Sequence, residues 1–571
     1  MLRVHRLYSE PSLFEPIEFT SGVNLIMGVT NTTSEKTNGV GKSLCIEFLN
    51  YGLLKDYSDS RLSRIPEKAL PSDTLICLDF SVGDTRITTK RSIRDHDSPT
   101  LVVNGVATNY YNMRDACQQL EKYLFGTRRA MAHPSFRSML SLLVRDERSE
   151  FKSIVNPFDT AKPVPPDYAP HLYLLDIDSS VYADSKKLWK EADTVGKVRS
   201  KLKKDVESLT GKSFSDARAD ANELEGQVQR IKTSLDDLES SESFELFKDE
   251  IIELENDLQE ARATQSALKV ELSRIALFKG DNYIDDSEVA SLFNRYKASL
   301  GDMVSAEITA VTAFKKKIDR FQETLLDSRR QSLVAELQAN RSAISALDAR
   351  YQHKLRLVDQ QGVLKTLKVT VMAYQKKLED LAQLSTFIKK YDDSEAEGRE
   401  LKRERIAKIL QLQSLLVDAD ATIRALEQTI LSMHEYVMGN RHSSFKVNTT
   451  ESKDVVVMEL RIYDDGSHSV DREKVFFYDM ALLLTDEIAD RHPGFLVHDN
   501  IFDVDQDTLL KSLDYLAENA SRLENRQYIL TLNSDRFREE DKAVLKLDLD
   551  DRTRARFTKD KRFLGREYQE K

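Results

Sequence analysis

Twelve prolines punctuate this chain, yet none falls among the 322 positions from 171 to 492; eleven lie at or before Pro170 and the last is Pro493. A packed globular segment of that length needs proline in its turns. A long helix excludes it, because the ring removes a backbone donor and clashes with the preceding turn. The middle of the chain is therefore expected to consist of long helices. Composition agrees: 31% charged against 40% hydrophobic residues describes a chain that builds a core but carries much solvated surface. No apolar run approaches the ~20 residues of a membrane span, and the opening MLRVHRLYSE lacks the apolar stretch of a signal peptide. A cytoplasmic protein without membrane contact is expected. Cys45, Cys77 and Cys117 supply neither a CxxC pair nor a disulfide framework, which suits a reducing compartment. The net charge of -11 argues against a generic polycation but leaves room for a local basic strip.

Residues 1–180 read as short strands and helices. Strands are expected near the start (LRVHRLY) and at 23–27, 74–82, 85–92 and 101–108, the last three as an antiparallel meander, with helices after Lys42 and over 112–124 and 136–144. From 181 to 440 the pattern is heptads. Leu224, Val228, Ile231, Leu235 and Leu238 alternate four- and three-residue steps, and Ile251 to Ile275 continue the seam. After an interruption at 279–286 the spacing resumes at Leu333–Tyr351 and Ile409–Val437. This predicts a helix going out, a reversal near 279–300, and a helix returning as an intramolecular antiparallel coiled coil. An arm of ~90 residues would reach roughly 130 Å. The returning stretch is longer than the outgoing one, so an elbow or extra helices are expected near Gly362 or 392–398. From 441 to 571 strands return at 455–463, 494–499, 527–533 and 544–549, with helices between them. The fold class is thus α/β, a split head whose N- and C-terminal lobes are joined by the coil.

Two motifs carry chemistry. Asn38-Gly39-Val40-Gly41-Lys42-Ser43, then Leu44, follows an apolar strand and opens a helix. It matches the second half of a phosphate-binding P-loop. There the glycines let backbone N–H groups close on phosphate, Lys42 reaches the β and γ phosphates of ATP, and the Ser43 hydroxyl ligates Mg²⁺. The strict pattern wants glycine where Lys36 stands, and Gly28 fills that role if residues 29–36 are an insertion. The second motif is the apolar strand 495–498 ending in Asp499, a carboxylate placed to hold Mg²⁺.

Split head, coil, P-loop and late aspartate strand together resemble the SMC and ABC-type ATPases of DNA maintenance. The sequences NGVGKS, KVFFYDMALLL at 474–484, His498-Asp499 and YILTLN at 528–533 resemble the SMC-like ATPases of bacterial three-component conflict systems, including Lamassu-type phage defence. The resemblance implies ATP-driven homodimerisation of heads. It assigns a Ser-Gly-type signature to Ser467 and Ser469, a Mg²⁺-facing loop position to Asp146, and the γ-phosphate switch position to Asn533. It also implies a glutamate base after Asp499, where this chain has Asn500. Either Asp499 binds Mg²⁺ and the base is missing, or the register shifts so that His498 takes the metal position and Asp499 that of the base.

Lys186–Lys204 holds eight basic residues against Glu191 and Asp193, with Lys197, Arg199, Lys201 and Lys203 at its centre. It reads either as a sequence-tolerant contact to the phosphates of double-stranded DNA or as a solvated helix face. A second basic run, Arg552 to Arg562, suits DNA or a partner subunit. The expected function is ATP-dependent DNA sensing in a defence complex with accessory and nuclease-type effector subunits. The alternatives are chromosomal repair or segregation, and a scaffold that binds ATP with little turnover.

Overall fold

The computed structural model describes residues 1–30, 39–126, 132–161, 164–239, 248–278, 308–358, 363–462 and 468–570. The expected reversal at 279–300, Gly362, Asn38 and Ser467 lie outside the described residues, as does the side chain of Ser469. The protein is mixed α/β with long helices, and it divides into two units, 1–190 with 401–571, and 191–400.

In the first unit, strands from both ends of the chain share one five-stranded sheet. Its order is Thr553–Phe557, Gly22–Gly28, Gln527–Asn533, Phe495–His498, Val144–Arg145, and every pair is parallel. The inner strands are buried along nearly their whole length, which is why they read as continuous apolar runs rather than alternating ones. A six-stranded antiparallel sheet runs Ile17–Glu18, Leu2–Glu10, Leu75–Val82, Thr85–Ser92, Thr100–Val103, Val106–Asn109. The helix Lys42–Gly52 packs on strands of both sheets and is buried at every position except Ser43. It approaches so closely that a Cβ on Gly52 would sit 2.7 Å from Leu78.

Two sequence expectations need correction here. The single strand expected at 101–108 is a hairpin, because Asn104 (φ 48°) and Gly105 (φ 88°) take the left-handed pair of a two-residue turn. No strand forms at 544–549; the sheet instead gains Thr553–Phe557, an edge strand held by backbone pairing whose TRARF sequence lacks an apolar run. Of the two places offered for an elbow or extra helices, residues 392–398 lie inside the unbroken helix Val363–Asp418, and Gly362 lies outside the described residues. Among the described residues the outgoing stretch breaks at Gly211 (φ 68°), between Ser179–Thr210 and Phe214–Glu239.

Residues 409–437, with their heptad spacing, lie in the first unit, where Ile409, Leu412, Leu426, Ile430, Met433 and Val437 are buried in the main core. The 4-3 spacing marks one apolar helix face and is indifferent to whether a coil partner or a globular core covers it. In the second unit, Lys248–Phe278 packs against Ile308–Val358. Cross-pairs set the direction: Arg218–Asp392, Gln227–Lys377, Glu250–Lys354 and Glu271–Arg329 move oppositely along the sequence, as antiparallel helices require. Val206, Ala217, Ala221 and Leu384 make a small core beside the break at Gly211.

Beneath the parallel sheet lies an ion cluster without solvent access. Asp479, on the helix His468–Leu484, accepts from Arg145 at 2.9 Å and contacts His498 at 3.0 Å, and His498 reaches the Tyr528 hydroxyl at 3.0 Å. Burial alone would push the Asp479 carboxyl up, but Arg145 and His498 outweigh it and hold it below the usual range. Removing the carboxylate strands a buried guanidinium. Asp479→Ala is therefore expected to destabilise the protein by about 3–5 kcal/mol, read by urea unfolding. A loss below about 1 kcal/mol would contradict a hub role.

Candidate functional site

The carboxyl ends of the parallel strands open into a cleft of about 760 Å³ lined by Gly39–Leu44, Glu147, Asn500, Asn533 and the C-terminal segment. Such an edge is the usual ligand crevice of open α/β sheets. The chain turns from loop to helix through Gly39 (φ 74°) and Gly41 (φ 109°), conformations that side chains disfavour, and this presents the first turn of the helix from Lys42. Gly28 ends the strand Gly22–Gly28 close to the side chains of Lys42 and Asn533. A Cβ there would lie 2.7 Å from the Lys42 Nζ and 3.1 Å from the Asn533 Oδ1. Residues 31–38, which include Asn38, lie outside the description.

Lys42, Ser43, Asp499 and Asn533 converge. The strand register sets Asn533 opposite Gly28, and its side-chain oxygen accepts from Lys42. Asp499, 2% exposed, accepts from Ser43 at 3.1 Å and from Thr531 at 2.8 Å. Burial pushes its carboxyl up to about 6, and burial likewise lowers the pKa of Lys42. His498 faces away from this group into the Asp479 cluster, so it is Asp499 that stands beside the helix-opening hydroxyl. The donor set suits a magnesium nucleotide: backbone N–H groups and an ammonium for phosphate, and a hydroxyl with one carboxylate for a cation that keeps water and phosphate ligands.

Asp146 shares a wall with Ser43 and Asp499 but is bound up in an ion cluster, contacting Arg148 at 2.7 Å and Lys55 at 3.3 Å. Burial raises its pKa, yet the two cations outweigh that and leave it below the usual range. Its neighbour Glu147 is the residue that sequence reasoning missed. It is exposed, lines the cleft with Asn500, and accepts from the Asn500 side chain at 3.1 Å. No motif marks it; only the place of Asp146 on the adjoining strand end pointed to this loop. Asn500 itself takes a left-handed φ of 61°.

The basic residues are not gathered on one strip. Lys197 and Lys201 share one face of the helix Ser179–Thr210, and Arg199 and Lys203 another, as four-residue spacing requires. Lys197 pairs with Asp193 at 2.7 Å, Lys203 with Glu207 at 3.9 Å and Arg199 with Glu395 at 3.9 Å.

A family model described as "Uncharacterised protein conserved in bacteria (DUF2326)" matches residues 427–567. The chain is 22% identical over 597 residues to "Uncharacterized protein YydD" of Bacillus subtilis (strain 168), covering 94% of this chain and 95% of that one. Among solved structures it is similar to the Smc head domain with a coiled coil and joint from Pyrococcus yayanosii (13% identity, 93% and 92% coverage, TM-score 0.35). A second is the Smc head domain with an extended coiled coil bound to the C-terminal domain of ScpA from Pyrococcus furiosus (11% identity, 94% and 91% coverage, TM-score 0.29).

The buried Asp499 carries a stability signature. Its folded pKa is raised, so its charge opposes folding; the penalty is complete above about pH 6 and fades as pH falls toward the ordinary carboxylate value. Asp499→Asn should stabilise the nucleotide-free protein by about 3 kcal/mol at pH 8, and by roughly half that at pH 5. Urea unfolding at the two pH values checks this, and a variant less stable than the parent at pH 8 would refute it.

Proposed function

We propose that this chain is an SMC-like ATPase. Its head binds ATP with Mg²⁺, pairs with the head of a second copy, and senses double-stranded DNA within a bacterial complex directed against phage or plasmid DNA, where accessory and nuclease-type effector subunits act downstream. The observation that carries this reading is the convergence of Lys42, Ser43 and Asp499 at the carboxyl end of the parallel sheet. In this reading Lys42 neutralises the β and γ phosphates, and backbone groups of residues 38–44 wrap them. Ser43 and Asp499 hold Mg²⁺, which supplies charge neutralisation at the transferring phosphoryl group. Asn533 donates to the γ phosphate once Lys42 exchanges its partner, and Ser467 or Ser469 caps the nucleotide of the opposite copy. Asp146 belongs to the wall of the metal site and is held there by Lys55 and Arg148.

Turnover in this reading is slow. Asn500 stands where the base belongs and cannot accept a proton; the carboxylate beside it is Glu147, tethered by the Asn500 amide. That same feature favours a second reading, a scaffold whose heads bind ATP and close without appreciable hydrolysis. Phosphate release measured with and without linear and supercoiled DNA separates the two.

Lys42→Ala should abolish ATP turnover while leaving the melting temperature within a few degrees of the parent. Asn500→Glu should raise the basal rate by up to 10²-fold, since a positioned general base contributes about 10²–10⁴-fold. An Asn500→Glu variant slower than the parent would argue that the amide's hold on Glu147 is the more important feature.

Replacing Lys197, Arg199, Lys201 and Lys203 together with Glu should weaken DNA binding alike for unrelated sequences and flatten its dependence on salt. Fluorescence anisotropy at several salt concentrations reads both quantities. Unchanged affinity and slope would make the run a solvated helix surface.

A further inference from the structure

The end of the second basic run, left by the sequence between DNA and a partner subunit, is folded against the loop that opens the helix Lys42–Gly52. The Phe563 backbone N–H donates to the Val40 carbonyl at 3.1 Å. Its ring is buried among Phe14, Phe48 and Phe557, with centroid separations of 4.5, 5.0 and 5.5 Å. A Cβ on Gly41 would lie 2.6 Å from the Cβ of Phe563, so the missing side chain at 41 is what admits the tail. This anchorage fixes the residues on either side of it. A Cβ on Gly39 would lie 3.4 Å from the Lys559 Nζ, which brings an ammonium to the outer turn of the loop. Arg562 lines the same cleft as Lys42 and Ser43, its guanidinium steadied by the Lys559 carbonyl and by Glu567, both at 3.1 Å.

We propose that the C-terminal segment is a wall of the nucleotide site, and that Lys559 and Arg562 are phosphate-binding cations contributed to the P-loop from the far end of the chain. The proposal rests on the ATP-binding reading above. A P-loop motif carries one lysine, and additional cations at the outer turn act on the same polyanion through charge-assisted hydrogen bonds. The ligand class is a nucleoside polyphosphate recognised through its phosphate chain, so the contribution should be blind to the base.

The test compares the full chain with Lys559→Gln/Arg562→Gln and with the charge-preserving Lys559→Arg, using ATP, ADP and inorganic tripolyphosphate as calorimetric probes. The double variant should lose about 10- to 100-fold in affinity for ATP and for tripolyphosphate alike, whereas Lys559→Arg should bind within about threefold of the parent. A folded double variant with unchanged affinity for both probes overturns the proposal. So does a variant that loses DNA affinity in the absence of nucleotide while binding ATP normally, which would make the run a DNA contact. If the parent chain binds none of the three probes, the ATP reading itself fails, an outcome distinct from failure of the double variant alone.

Discussion

Asp479 is a charged carboxylate with 1% of its side chain exposed, and the two groups that keep it ionised, Arg145 and His498, each stand one residue before a carboxylate of the wall that Ser43 shares, Asp146 and Asp499. Desolvation of an ion is repaid only by close, well-directed partners. Holding Asp479 charged therefore fixes the helix His468–Leu484, the strand Val144–Arg145 and the strand Phe495–His498 against one another. Asp146 and Glu147 follow from the first of those strands, and Asp499 from the second. The geometry of the mouth is thus set by an interaction on the far side of the sheet.

At the mouth the logic reverses. Asp499 and Lys42 are both pushed by burial toward their neutral forms, and Asp146 is kept ionised only by Lys55 and Arg148. A core optimised for stability would replace these groups with apolar ones. In the proposed ATP-binding reading, a bound polyanion and its cation would complete their electrostatics and offset the cost of burying them.

The sequence discloses whatever its local chemistry demands. The strand-to-helix turn before Lys42 was legible because its left-handed backbone at Gly39 and Gly41 needs glycine, and the place of Asp499 because it ends an apolar run. Long helices were legible from the proline gap. Glu147 was not, since an exposed glutamate after a strand has no distinguishing pattern. Asp479 looks like one more polar residue on an apolar helix, and only the fold shows its partners 334 and 19 residues away. The strand Thr553–Phe557 escaped because edge pairing uses the backbone. Phe563 and the tail escaped because their meaning is contact with a loop more than five hundred residues earlier in the chain.

The parallel sheet has a consequence in time. Both neighbours of Gly22–Gly28, the strands Gln527–Asn533 and Thr553–Phe557, lie near the other end of the sequence. During synthesis the ribosome must add about 500 residues between this strand and its first partner, which at 5–20 residues per second takes roughly 25–100 s. Throughout that interval an apolar strand waits with both hydrogen-bonding edges open, a template for aggregation. The antiparallel sheet, whose strands all lie within the first 109 residues, can form early and shelter it. This places a demand for chaperone protection on the nascent N-terminal half, and it makes the last hundred residues the step that commits the head to its fold.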